Sequence, residues 1–114
     1  LTHLGIAAAE RGDGLAFIDK ISELLWNGEV RGWHEGDHLA KAAEKAGFDL
    51  AELDNLIEKD FDGYAAKVEA NQAALEKSGH WGVPTLAYKN EAFFGQDRVD
   101  LCLWRMKQDG LSER

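Results

Sequence analysis

Apolar positions recur at helical spacing along most of the chain and change period only near its end. Residues 2–10 read THLGIAAAE, an alanine-rich run with strong helix propensity. Gly12-Asp13-Gly14 interrupts it, and Asp13 is placed to cap the next helix. There Leu15, Ile18, Ile21 and Leu25, with Phe17 and Leu24, fall on one face, and Asn27-Gly28 ends the pattern. A polar loop, 29–36, follows. Asp37 can cap a short helix with Leu39, Ala42, Ala43 and Ala46 inward and Gly47 at its C-terminal end. Asp49 with Glu52 resembles a capping box and predicts a helix through Lys59. Asp62 opens a longer helix through Ser78, closed by Gly79.

The period then switches. PTLAY at 84–88 and EAFF at 91–94 are short apolar runs around a Lys89-Asn90 turn, which predicts a hairpin. Asp97 is placed to cap a final helix ending at Gly110. Val99, Leu103 and Met106 share one face of it, widened by Leu101, Cys102 and Trp104. The predicted order is five helices, strand, turn, strand, helix: an α/β chain that is mostly helical. There is no internal repeat and no low-complexity linker. A lone hairpin is marginal in water and needs more sheet or a covering helix. The covering helix is present; further strands are not.

Composition narrows the partners. The 114 residues suffice for one modest core, and 45% hydrophobic content favours folding. The formal net charge is −8, and none of the 13 basic residues forms a dense run. Nucleic acid and anionic membrane are therefore poor partners. No apolar run approaches the ~18–20 residues that cross a bilayer, and no basic-then-apolar leader is visible. The single cysteine, Cys102, permits no internal disulfide. A cytoplasmic setting is the simplest expectation. The chain opens on Leu1, directly in helical sequence, as expected of a fragment or processed product.

Among candidate chemical motifs, residues 34–38 spell His-Glu-Gly-Asp-His. Two histidines one helical turn apart bind zinc in metalloproteases, but only on a continuous helix. Gly36 interrupts here, and His34 falls in the preceding loop, so a polar surface turn is expected and no metal site. His3 and His80 read as isolated. Cys102, in an apolar helix, reads as an inert buried thiol. Read alone, Trp81, Phe93 and Phe94 are core residues, Asp97 is a helix cap, and Pro84, the only proline, is a strand-start proline.

Three pieces change that reading: Ala9-Glu10-Arg11-Gly12 with Phe17; Gly79-His80-Trp81-Gly82-Val83-Pro84-Thr85; and Phe93-Phe94-Gly95-Gln96-Asp97-Arg98 with Asp100 and Leu101. Together they resemble the C-terminal half of the 2-hydroxychromene-2-carboxylate isomerase and kappa-class glutathione transferase family, within the wider DsbA-like thioredoxin group. The resemblance spans essentially the whole chain, and its G-V-P-T and F-G-Q-D-R pieces are the specific ones. It implies a helical insertion domain over 1–78. Residues 79–114 would be the C-terminal strand-strand-helix unit of a thioredoxin fold, with the N-terminal strand-helix-strand unit missing.

The resemblance further implies a cis Val83-Pro84 bond, with the Val83 N–H and C=O offered to the cysteinyl backbone of glutathione as to an added strand. Gln96 and Asp97 would meet its γ-glutamyl end, Asp97 facing the α-ammonium and the helix start offering N–H groups to the carboxylate. The candidate glutathione-binding residues are Val83, Pro84, Gln96 and Asp97, with Trp81 beside the loop. No residue of this chain is a catalytic candidate. The family nucleophile, a serine that steadies the glutathione thiolate or the C-x-x-C of the disulfide branch, belongs to the missing unit. Ser22, Ser78 and Ser112 sit in no matching motif. By resemblance the full enzyme would add glutathione thiolate to a small aromatic or unsaturated substrate, allow bond rotation and release it. A DsbA-like oxidoreductase, or a non-catalytic self-associating module, are the alternatives. The hairpin is expected to seek a partner, either a second copy of the chain or the missing N-terminal segment.

Overall fold

In the computed structural model, which describes residues 1–112, six α-helices and one hairpin follow the expected order. They are α1 (Thr2–Glu10), α2 (Gly14–Trp26), α3 (His38–Lys45), α4 (Leu50–Lys59), α5 (Phe61–Lys77), β1 (Thr85–Tyr88), β2 (Glu91–Phe94) and α6 (Val99–Gln108), with a 3-10 turn, Gln96–Arg98, before α6. The chain divides into two compact units, Leu1–Val68 and Glu69–Arg114. The division falls inside α5. Among the described residues no helix is long and apolar enough to cross a membrane.

The first unit is a helical cluster. Leu4, Ala7 and Ala8 of α1 pack with Phe17 and Ile21 of α2, Ala42 and Ala43 of α3, Leu53 of α4 and Tyr64 of α5. Phe17 and Leu53 are its largest fully buried side chains, and Phe17 meets Phe48 edge to face at 5.8 Å. The inward face of α2 is turned from the expected one. Leu15 and Ile18 are 84% and 56% exposed, while Leu24 and Leu25 pack against the core. The helix carries more apolar residues than one core-facing stripe needs, so periodicity alone left its orientation open. Ile18 instead borders an open apolar groove with Leu1 and Ile6.

Helix starts follow local hydrogen bonding, with corrections. Asp13 caps α2 through Ala16 N–H at 3.1 Å. Asp49 caps α4 through Ala51 N–H at 2.8 Å and Glu52 N–H at 3.4 Å. Glu52 does not return the bond but pairs with Arg11 at 2.8 Å. Asp37 precedes α3 yet makes no side-chain cap; its carboxylate goes to Lys41 at 2.8 Å. The cap of α5 is Asp60, accepting from Gly63 N–H at 3.2 Å, and not Asp62. Asp97 caps nothing. The 3-10 turn intervenes, Arg98 becomes the residue before α6, and no side chain caps it.

In the second unit β1 and β2 pair antiparallel, Thr85 opposite Phe94, Leu86 opposite Phe93 and Tyr88 opposite Glu91. Pro84 lies just outside the strand, and its C=O accepts from Gly95 N–H at 2.9 Å. Phe93 and Cys102 are the buried residues of this unit's apolar contact. Val99, Leu101, Leu103 and Trp104, expected to face inward, are 42–56% exposed. A two-stranded sheet is too narrow to cover a helix that is apolar on several sides.

The turn is tied to the end of α6 by charge. Lys89, at φ +55°, donates to Asp109 at 2.5 Å, and Arg105 bonds both Glu91 (2.6 Å) and Asp109 (3.0 Å). The hydrogen bond from Lys89, helped by those from Arg105 and Tyr88, holds the Asp109 carboxyl at about 2 against its usual 3.8. A depressed carboxyl stabilises the fold fully above its unfolded value and ceases to do so as pH falls through its folded one. The second unit is therefore expected to lose denaturant resistance between pH 3.8 and about 2. Asp109→Asn should reduce that part of the loss. An identical acid profile in the variant would remove Asp109 from the account.

Candidate functional site

The segment between α5 and β1 is built around one glycine. Gly79, at φ +103°, closes α5 with its N–H on Glu76 C=O at 3.1 Å. The chain then passes His80 and Trp81 to Gly82, which is buried. Gly82 is held at both of its polar groups. Its N–H donates to His80 Nδ1 at 2.8 Å, and its C=O accepts from Thr85 Oγ1 at 2.5 Å. A Cβ at this position would lie 2.4 Å from Phe94 Cε2 and 2.9 Å from His80 Cε1. Only glycine lets the loop pass this close to the face of β2.

The close approach exists because the strand register places Phe94 opposite Thr85. From there the Phe94 ring stacks on His80, centroids 4.1 Å apart and 12° from parallel. His80 is in turn near-parallel to Trp81 at 5.7 Å and 17°. Trp81 is 80% exposed and Val83 75% exposed, so Trp81 is not a core residue. Of the three aromatics read as core, Phe93 alone is buried; Phe94 is exposed, with its ring stacked on His80. The Val83-Pro84 peptide is cis. Neither the N–H nor the C=O of Val83 makes a hydrogen bond among the described residues.

The Gly95 N–H to Pro84 C=O bond brings the start of the Gln96–Arg98 turn beside this loop. Val83, Pro84, Gln96 and Asp97 thus flank one backbone contact along the chain, while Trp81 lies beside His80. The Asp97 side chain is 74% exposed and lies 3.6 Å from the Arg98 guanidinium. His80 and Gly82 were not among the candidate binding residues read from the sequence. Both lie in the Gly79–Thr85 piece that carries the resemblance, but their contact depends on the register that brings Phe94 across.

His34 lies in the 29–36 loop, Gly36 has φ +61°, and α3 begins only at His38, so the two histidines do not share a helix. Among the described residues no His, Cys, Asp or Glu set is arranged to hold a metal. Cys102 is 4% exposed within α6.

A family model described as a DSBA-like thioredoxin domain matches residues 2–107. No curated protein and no solved structure gives a match.

Proposed function

The chain belongs to the DSBA-like thioredoxin domain family, and from that premise we propose that it is the glutathione-binding half of an enzyme like the 2-hydroxychromene-2-carboxylate isomerases and kappa-class glutathione transferases. The observation that carries this reading is the exposed Val83 peptide, with uncommitted N–H and C=O, beside the Gln96-Asp97 turn. Such an edge can accept an extended backbone as an added strand. The cysteinyl unit of glutathione would pair there, Asp97 would meet the α-ammonium and Gln96 would hydrogen-bond the γ-glutamyl end. Trp81 offers an apolar wall for a small aromatic or unsaturated substrate. Bound glutathione would supply the nucleophilic thiol. Cys102 is buried and takes no part.

A thiol-disulfide oxidoreductase is the second reading, since the same edge could hold a cysteine-containing peptide. Asp97 favours glutathione, because an internal peptide segment has no α-ammonium for it to meet.

Calorimetric titration with reduced glutathione tests the proposal. Binding is expected, with amide shifts at Val83, Gln96 and Asp97. Asp97→Asn should weaken it by about tenfold, the scale of one charge-assisted hydrogen bond. Absence of heat and of those shifts at millimolar glutathione would refute the reading.

A further inference from the structure

We propose that His80 is the positioning residue of the Gly82-Val83-Pro84 loop, and that its protonation releases the loop and makes binding at the Val83 edge pH-dependent. The inference rests on that edge being the binding site, as proposed above.

A ring nitrogen that accepts carries no proton. The 2.8 Å bond from Gly82 N–H to His80 Nδ1 therefore specifies a neutral ring with its proton on Nε2. The bond spans two residues, as in the turns that asparagine forms with its own backbone. Both partners are confined. The ring lies against Phe94 and near-parallel to Trp81, and Gly82 has no space on the side facing the Phe94 and His80 rings.

What this holds in place is the Val83 N–H. Gly82 C=O and Val83 N–H belong to one planar peptide, and Thr85 Oγ1 holds that carbonyl. His80 at one side of Gly82 and Thr85 at the other thus set the direction in which the Val83 N–H is presented. Protonation gives the imidazole two N–H groups and no acceptor, so Gly82 N–H faces another donor. The stacked rings attract the imidazolium; the ring keeps its place and the loop gives way. Phe94 from β2 and Trp81 from the loop bring no charge. Glu76, at the end of α5, is the charged group lining the same recess, and Glu76→Gln separates its influence from that of His80.

Amide exchange and ring nitrogen spectra of the labelled chain, followed as the ring is protonated, test this directly. The neutral ring should carry its proton on Nε2. Gly82 protection, corrected for the intrinsic pH dependence of exchange, should fall about fivefold with the midpoint of the His80 titration, as for loss of one hydrogen bond. His80→Asn, which can offer Oδ1 and does not titrate, should keep protection level. His80→Phe keeps the stack and should lose protection at every pH. Level Gly82 protection through the titration, full protection in His80→Phe, or a neutral ring protonated on Nδ1 would overturn the proposal.

Glutathione affinity should fall with the same midpoint in the unaltered chain and stay level in His80→Asn. Level affinity alongside changing protection would overturn the pH link. No glutathione binding at any pH, with protection still following His80, would remove the glutathione reading and leave the positioning role standing.

Discussion

Phe17→Ala is expected to destabilise the helical unit by about 3–5 kcal/mol, the range for emptying a buried phenylalanine site. Phe17 is 2% exposed and packs edge-on against Phe48. Four of the other buried residues in its cluster are alanines: Ala7, Ala8, Ala42 and Ala43. Short side chains cannot swing into the vacated volume, so little of the cavity closes and the cost should sit high in that range. Small domains are stable by only about 5–15 kcal/mol, and this one change approaches the lower figure. Leu15→Ala, two residues earlier at 84% exposure, should change stability by less than about 0.5 kcal/mol. Urea denaturation followed through amide signals of residues 1–68 compares them. Equal effects would mean that the inward face of α2 has been misassigned.

Two glycine-to-alanine changes should act with opposite signs. At Gly82 the new methyl would sit 2.4 Å from Phe94 Cε2 and 2.9 Å from His80 Cε1. Either the Phe94 ring leaves the stack or the loop lifts from β2, at an overpacking cost of about 1–3 kcal/mol. The ring-current shift of Phe94 on His80 should be lost together with the stability. At Gly5, inside α1, a new methyl would meet nothing within 4 Å. Alanine there should stabilise the helix by about 0.5–1 kcal/mol, because it narrows the unfolded chain and favours helix. Denaturation of each variant with His80 proton shifts checks both. An unaltered His80 shift in Gly82→Ala would show that the loop does not press on the stack.

The helices were legible because each is bounded by glycine or by a short acidic residue, and the hairpin because the period changes after Gly79. What misled was finer. Asp60, Asp62, Asp37 and Asp97 all stand near helix starts, and sequence does not tell which carboxylate reaches back to an amide and which pairs with a cation. Asp60 does the first and Asp37 the second. Leu15 and Ile18 match the helical repeat as well as Phe17 and Ile21 do; only the positions of α1 and α3 decide between them. At the site, Gly82-Val83-Pro84-Thr85 and Gly95-Gln96-Asp97 stood out by resemblance. The His80–Phe94 stack could not be read, since it joins residues that become neighbours only once the strands are in register.

Lys89 adopts a left-handed backbone conformation, at φ +55°, while its ammonium bonds Asp109. Glycine would relax that backbone by about 1 kcal/mol or more, yet it would delete the cation that fastens the turn to α6. The turn therefore cannot be improved by itself: the residue that suits its backbone is the one that cannot reach the helix. Lys89→Gly sets these demands against each other. A net loss of stability would mean that anchorage outweighs turn geometry here, and a net gain would mean the reverse. An engineer shortening or grafting this hairpin would have to carry Asp109 along with it.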